Sequence, residues 1–429
     1  MVALLHHGRK IENCYKWEGI TCNGNGGVTG VSLASKRLEG HISPSLSNLT
    51  NMMHLNLSYN SLSGGLPPEL LFSGSISVLD NVSFNRLGGS LQDLSSLTVS
   101  EKATAVLKVG HNKLSGTLPN ELFNATSLEH LSLNNNALQG TLDGALIPQL
   151  INLATLDLEG NNLSGKIPDY IGQLKKLEVL HLGWNKMYGE LPSALGSCIH
   201  LTTINLKGNS FSGHIEKVNF SSLSNLRTLD LYTNNFSGTI PESIYSCSSL
   251  TALRLSANHF HRILNFCKTL TILLSNFKGE VIPQDEIIEG FGNLQVFAIE
   301  ECMLSDEIPL WLSKLTNLEV LVLHGNRLTG PIPSWINSLS HLFYLDVSSN
   351  LLTREIPVAL MTMPMIKSFD SAPYLDTRPI YLSVYRDPSH EYGSFTSSPK
   401  RQTNQKLKRM IATAVFDDNL VEEWSSKWT

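Results

Sequence analysis

Two carboxylates and two histidines are the first candidates for chemistry in this chain. Asp157 and Glu159 stand two positions apart in a segment of alternating apolar residues, so both side chains fall on one face of a strand. Such a pair can do general acid–base work, and the same pattern also describes the solvated face of a sheet. His6 and His7 are adjacent near the start of the chain, where paired histidines are typical of an inert terminus. Neither pair by itself predicts an active site.

The short motifs that mark common active sites are missing from the sequence. It contains no H-E-x-x-H, no phosphate-binding G-x-x-x-x-G-K-[ST], no C-x-x-C and no G-x-S-x-G. We therefore predict that the protein is not an enzyme and that it uses no cofactor and no metal.

A repeat of 24 residues positions the two carboxylates. Leu153–Lys176 reads LATLDLEGNNLSGKIPDYIGQLKK, and Leu177–His200 reads LEVLHLGWNKMYGELPSALGSCIH. The alternation predicts a short strand in each unit, with Leu153, Leu156 and Leu158 inward and the two carboxylates outward. Function should then be sought on an extended surface.

An asparagine follows each predicted strand, and its amide can bond the buried backbone of its own turn and of the next. Cys302 takes this position in one unit. A glycine and a proline follow, as in Gly165 and Pro168, and suit a turn and an extended return. The asparagines of this series are Asn60, Asn112, Asn136, Asn161, Asn185, Asn209, Asn234, Asn258, Asn326 and Asn350.

The pattern L-x-x-L-x-L-x-x-N-x-L with x-G-x-I-P resembles the leucine-rich repeat. The resemblance implies an α/β solenoid, a horseshoe or superhelix with a parallel concave sheet and an irregular or 3-10 convex side. About fourteen units fit between residues 28 and 365, which is enough to bury a continuous core.

Charge and hydropathy exclude several partners. The net charge is −5 with both signs dispersed, so no basic face predicts nucleic-acid binding. No stretch of 18 apolar residues predicts a membrane-spanning helix in the chain as given. The opening MVALLHHGRK is too short in apolar residues for a secretory signal.

Residues 1–27 are similar to the N-terminal cap of plant extracellular leucine-rich-repeat proteins. The carrying residues are CYKWEGITC, with Trp17, Gly19 and Cys22, followed by VTGVSLASKRLEGHISPSL. The family cap has adjacent cysteines, whereas Tyr15 stands here at the second position. The resemblance implies either a Cys14–Cys22 disulfide or a Cys14 that has lost an upstream partner. The other cysteines, Cys198, Cys247, Cys267 and Cys302, are expected to be buried thiols.

The resemblance also implies an extracellular or plasma-membrane-surface location. Seven Asn-x-Ser/Thr sequons agree with glycosylation there, although a repeat rich in Asn and Ser makes some by chance. They lie at Asn48, Asn56, Asn81, Asn124, Asn162, Asn219 and Asn235.

Residues 366–400 break the repeat with tyrosines and prolines. This segment looks like the island of receptors for tyrosine-sulfated peptides of the phytosulfokine type, and its aromatic and arginine residues suit a sulfated partner. The expected contacts are Tyr374, Arg378, Tyr381, Tyr385 and Arg386. Residues 401–429 show no leucine frame and are expected to be a disordered tail foreign to the family.

The outward positions of the concave sheet supply the remaining binding candidates, because side chains there are not needed to fill the core. They are Trp184, His181, Asp230, Tyr232, Arg254, Tyr344 and Asp346. The favoured function is a receptor-like recognition domain that binds a peptide, with a co-receptor leucine-rich-repeat kinase as a further partner. The alternatives are a secreted polygalacturonase-inhibitor-like defence protein or a truncated product that does not signal.

Two units depart from the frame. The segment 79–82 holds one residue too many, and we predict a bulge at Asp80–Asn81. The units beginning at Leu250 and Leu270 are only 20 residues apart, with Arg262 where glycine belongs, so the stack should bend or loosen there. Either departure could be a designed feature or gene-model damage.

Overall fold

The computed structural model describes most of the predicted repeats. The described residues are 17–72, 78–91, 105–262, 291–305, 307–342, 344–353, 357, 359–360 and 414–415. They fall into two compact units, residues 1–291 and 292–429. The segment 366–400 and residues 263–270 of the second irregularity lie outside the described residues.

A long sheet forms the framework of the first unit, and each repeat adds one strand to it in chain order. The first pair is antiparallel, and the strands after it pair in parallel. The described strands of this sheet are Ile20–Cys22, Val28–Ser32, His54–Asn56, Val78–Asn81, Val106–Lys108, His130–Ser132, Thr155–Asp157, Val179–His181, Thr203–Asn205, Thr228–Asp230 and Ala252–Arg254.

A bulge is present in this sheet at Leu79–Asp80, one residue before the predicted Asp80–Asn81. His54 pairs with Val78 and Asn56 pairs with Asn81, so two residues of one strand face Leu55 of the other. The extra residue is absorbed within one strand, which leaves the following repeats in register, as with His130 and Thr155.

A second layer of short strands follows the asparagine positions. These strands are Glu39–His41, Ser61–Gly64, Arg86–Leu87, Ser115–Gly116, Ala137–Thr141, Asn162–Gly165, Lys186–Gly189, Ser210–His214, Asn235–Thr239 and His259–Arg262. Short helical turns close the repeats on the far side. The 3-10 turns are Pro44–Asn48, Ile147–Gln149, Asp169–Gln173, Ser193–Ser197, Ile215–Lys217, Phe220–Ser222 and Glu242–Ile244, and the α-helical turns are Pro68–Phe72 and Asn120–Phe123.

The core lies between these layers, as the leucine pattern predicts. Leu153 and Leu158 have no exposed surface, and Leu156 is 3% exposed. Later repeats add fully buried phenylalanines such as Phe211 and Phe236, whose ring centroids are 6.3 Å apart. Burial of these side chains is the main favourable term that holds neighbouring repeats together.

The asparagine ladder has the predicted hydrogen bonds. The Asn161 amide donates to the carbonyls of Leu158 at 3.0 Å in its own turn and Leu133 at 3.0 Å in the preceding repeat. Its side-chain oxygen accepts from the Leu138 N–H at 3.0 Å. Asn85, after the bulge, makes the same set of contacts. Each asparagine thus satisfies backbone groups of two repeats at once.

The second unit repeats this architecture. Its described strands are Val296–Ala298, Val320–Val322, Tyr344–Asp346 and Ala414–Val415, and its 3-10 turns are Leu310–Lys314 and Ser334–Ser338. Ala414 pairs in parallel with Leu345, and Val415 pairs with Asp346. A two-residue strand from the tail therefore extends this sheet, in a segment where the sequence suggested no repeat frame.

Candidate ligand-binding face

A row of polar side chains crosses the first unit on the outward face of its long sheet. Strand pairing sets Asp157 beside His181, His181 beside Asn205, Asn205 beside Asp230 and Asp230 beside Arg254. Neighbouring strands in a sheet are about 4.8 Å apart. The row therefore brings together five residues from five repeats, of which Asn205, Asp230 and Arg254 are buried.

A hydrogen-bonded network surrounds the two carboxylates. The Ser132 hydroxyl donates to Asp157 at 3.2 Å, and Nδ1 of His181 lies 3.9 Å from the same carboxylate. Lys207 Nζ is 2.9 Å from Glu159, and the Asn205 amide donates to Glu159 at 3.0 Å. Burial raises the pKa of Asp157, and the nearby His181 opposes that rise.

Among the described residues, the same cluster contains a possible set of metal ligands. Asp157, Glu159 and His181 each bring one ligand atom within 4.8 Å of the others. Glu159, however, is already held by an ammonium and an amide, which compete with a cation for its oxygens. The geometry suits a polar contact surface better than it suits a metal centre.

Asp230 and Arg254 form a buried ion pair. Arg254 donates to Asp230 at 2.8 Å, and the two residues are 8% and 5% exposed. The Arg254 guanidinium also lies 5.2 Å from the centroid of the Tyr232 ring. Because each charge neutralises the other, the pair positions the Tyr232 ring rather than offering an open charge to a ligand.

Trp184 is the most exposed of the predicted contacts in the first unit. Its side chain is 38% exposed, and its backbone has a φ of 49°, which is uncommon for a bulky residue. Its backbone N–H donates to the backbone carbonyl of Lys207 at 2.7 Å. The indole therefore stands at the rim of the polar row, beside the network of Glu159 and Lys207.

In the second unit, Tyr344 and Asp346 lie on one strand and are both half-buried. The Ser348 hydroxyl donates to Asp346 at 2.6 Å, and Nδ1 of His324 lies 2.8 Å from the Ser348 oxygen. His324 is also 3.9 Å from the Asp346 carboxylate. This smaller polar group is a separate candidate contact surface.

The remaining predicted sites have mixed outcomes. Tyr374, Arg378, Tyr381, Tyr385 and Arg386 lie outside the described residues. Cys22 is disulfide-bonded, and Cys14 lies outside the described residues, as does Cys267. Cys198, Cys247 and Cys302 are buried and are not disulfide-bonded, as expected. Burial raises the pKa of Cys198 to about 11.

Of the sequons, Asn48, Asn124, Asn162, Asn219 and Asn235 are exposed, and Asn56 and Asn81 are half-buried on the sheet face.

Sequence reasoning missed a stack of three rings at the start of the sheet. Tyr59 and Phe84 have ring centroids 4.3 Å apart, and Phe84 and His111 have theirs 4.0 Å apart. Each ring stands immediately before the ladder asparagine of its repeat. A ring at the same position in three successive units was the available signal.

Across the described part of the chain, every helix is too short or too polar to cross a membrane.

Comparison with known proteins supports the repeat architecture. One leucine-rich-repeat family model matches residues 199–260 and 286–370, and a second matches residues 51–72 and 152–174. These matched stretches lie within residues 28–365, which the 24-residue pattern assigned to repeats, except that one of them continues to residue 370.

Several relatives in Arabidopsis thaliana are receptors. Receptor-like protein kinase 7 is 32% identical over 156 residues, which is 36% of this chain and 16% of the relative. Phytosulfokine receptor 1 is 32% identical over 34% of this chain and 16% of the relative. Receptor-like protein 54 is 30% identical over 32% of this chain and 17% of the relative. The chain therefore matches less than a fifth of the length of each of these proteins.

Solved receptor structures match over most of the chain. The PEPR1–AtPEP1 complex has 30% identity and a TM-score of 0.68, over 81% of this chain and 45% of that one. Arabidopsis HAESA, solved with the peptide hormone IDA and the co-receptor SERK1, has 27% identity and a TM-score of 0.60 over 78% of this chain and 56% of that one. The chain is a leucine-rich-repeat solenoid similar to the ectodomains of plant receptor kinases and receptor-like proteins.

Proposed function

We propose that this chain is a non-enzymatic recognition domain that binds an extended peptide across the sheet face of its first unit. The observation that carries the proposal is the half-buried start of the in-register row, Asp157 and His181, bordered by the exposed Trp184. The buried Asn205, Asp230 and Arg254 continue the row and support these side chains from the later repeats. These side chains are outward and are not needed to fill the core. An exposed indole beside satisfied polar groups is typical of a binding surface.

The chemistry of the row favours a peptide. Ser132 and Thr203 place hydroxyl groups on this face, and hydroxyl groups suit backbone N–H and C=O groups. Asp157 and Lys207 add charges of both signs, which can select particular side chains of the peptide. The receptor kinase HAESA shares this fold and was solved with the peptide hormone IDA, and PEPR1, which shares it too, was solved with AtPEP1.

The proposal extends to the location of the protein, a co-receptor and the segment 366–400. We place the protein at the cell surface or outside the cell, in signalling with a co-receptor, because the similar chains are receptor-like proteins and because HAESA was solved with SERK1. The segment 366–400 is proposed as a second contact for the same peptide, on its tyrosine and arginine content.

The experiment uses two probes on the intact chain and on a chain that ends at Met365. The first probe is a tyrosine-sulfated pentapeptide with its unsulfated twin, and the second is a displayed library of random peptides. We expect selected peptides to bind the intact chain and to bind the shorter chain more weakly. Failure to select any peptide on the intact chain would overturn the proposal. Equal affinity for both chains would restrict the site to the sheet face.

A further inference from the structure

We propose that N-linked glycans on Asn56 and Asn81 lie over the ring stack of Tyr59, Phe84 and His111. The sugar would cover the first strands of the sheet face and leave the strands from His130 to Arg254 as the ligand surface. This inference requires passage through the secretory pathway, which the proposed function also requires, but it does not depend on peptide binding.

The two asparagines are neighbours and present the atom that a glycan uses. Asn56 pairs with Asn81 across adjacent strands. The Asn56 oxygen accepts from the N–H of Ser58 at 3.1 Å and from its hydroxyl at 2.8 Å, and the Asn81 oxygen accepts from the Ser83 N–H at 2.9 Å. All of these contacts use Oδ1, so they orient the side chain without engaging the attachment atom, Nδ2.

The rings form an exposed apolar surface that the core does not require. Tyr59 is 56% exposed and Phe84 is 38% exposed. Tyr59, Phe84 and His111 all have positive φ, at 56°, 57° and 52°. The position before the ladder asparagine takes positive φ in other repeats as well, as at Asn135 and Thr233, so the turn sets this backbone. The two exposed rings, stacked on each other, form an apolar surface that a cover would suit.

The spacing between ring and sequon points to the chain's own sugar as the cover. Tyr59 and Phe84 each stand three residues after a sequon asparagine. The other five sequons have no aromatic residue at that spacing, where they carry Asn51, Ser127, Gly165, Ser222 and Gly238.

The chemistry of a glycan matches this surface. The CH faces and acetyl methyl of N-acetylglucosamine are apolar and can cover the rings, while its hydroxyls stay in water. A glycan tethered beside the rings also has a high effective concentration there. The outward residues of the strands from His130–Ser132 to Ala252–Arg254 carry no sequon, so the polar row stays clear of sugar.

The test is site-resolved glycan release from the folded, secreted chain. A secretion signal is fused to the full chain, and occupancy is read by mass spectrometry of intact glycopeptides. The native protein is then treated with a peptide N-glycosidase over time. We expect occupied Asn56 and Asn81, released about fivefold more slowly than Asn124, the factor that roughly 1 kcal/mol of contact free energy gives.

A Tyr59→Ser/Phe84→Ser variant separates the rings from simple crowding. We expect it to bring release at Asn56 and Asn81 to the rate at Asn124, while Asn124 itself is unchanged and reports an intact fold. Unoccupied Asn56 and Asn81 would overturn the inference, as would release at the Asn124 rate in the unaltered chain. Slow release that survives removal of the rings would also overturn it. Peptide affinity is measured separately, so either proposal can fail alone.

Discussion

The indole of Trp184 lies across the turn of the next repeat, over the backbone of Gly208. A Cβ added at Gly208 would sit 2.2 Å from Trp184 Cε3, and Gly208 itself has a φ of +63°. Only glycine combines that backbone with room for the ring. The exposed indole is therefore held in place by the repeat that follows it.

Gly208→Ala should destabilise the first unit and displace the indole. Positive φ and the lost contact together predict a cost of about 1–3 kcal/mol in the free energy of unfolding. Urea unfolding of Gly208→Ala, Trp184→Ala and the double variant measures the coupling. Additive costs in this cycle would show that the indole does not depend on Gly208.

Leu156→Ala should lower the free energy of unfolding by about 2–5 kcal/mol, because Leu156 is buried and the substitution leaves a cavity. The matched control is Ile151→Ala, since Ile151 is 58% exposed in the same repeat region. Thermal and urea unfolding should show a large loss for the first variant and almost none for the second. Similar midpoints for both would contradict the inward assignment.

Asn161→Ala should lower the free energy of unfolding by about 1–3 kcal/mol. The substitution removes the side-chain partner of the Leu133 and Leu158 carbonyls and of the Leu138 N–H. The adjacent Asn162 is exposed, so Asn162→Ala in unglycosylated protein is the control. An unchanged unfolding midpoint for Asn161→Ala would refute the role of the ladder.

Asp157→Asn should stabilise the fold at neutral pH. The folded-state pKa of Asp157 is raised by burial, so the folded state binds more protons than the unfolded state. Stability from this group is present below the unfolded pKa and is lost as pH rises through the folded pKa. The gain from Asp157→Asn should therefore be larger at pH 7 than at pH 4.

Thermal melts across this range check the sign, with the exposed Asp169→Asn as control. A stabilisation by Asp157→Asn that is equal at both pH values, or a loss at pH 7, would contradict the assignment.

The sequence predicts the scaffold because the same positions of each repeat fill the core. Leu153, Leu156 and Leu158 alternate with polar residues, so their burial follows from strand geometry alone. Asn161 follows from the need to satisfy turn backbone. A bulge near Asp80 follows from counting, since one extra residue cannot be absorbed without it, and the structure places it at Leu79–Asp80.

It is harder to predict which side chains of the sheet face are open to a ligand, because this depends on contacts between repeats. Asp230 and Arg254 are 24 residues apart, and only the strand register shows that they neutralise each other. Both were predicted as ligand contacts from their outward position. The order of the Tyr59, Phe84 and His111 rings depends likewise on side-chain packing across three turns.

The central claim is that a peptide binds the sheet face beside Trp184, and calorimetry on matched variants tests it most directly. A selected peptide is titrated into the unaltered chain, Trp184→Ala and Tyr170→Ala, where Tyr170 is a 53% exposed aromatic on the 3-10 turn Asp169–Gln173. We predict that Trp184→Ala weakens binding about tenfold or more, a loss of roughly 1.4 kcal/mol, and that Tyr170→Ala binds as the unaltered chain does. Equal affinity for all three proteins would contradict the account.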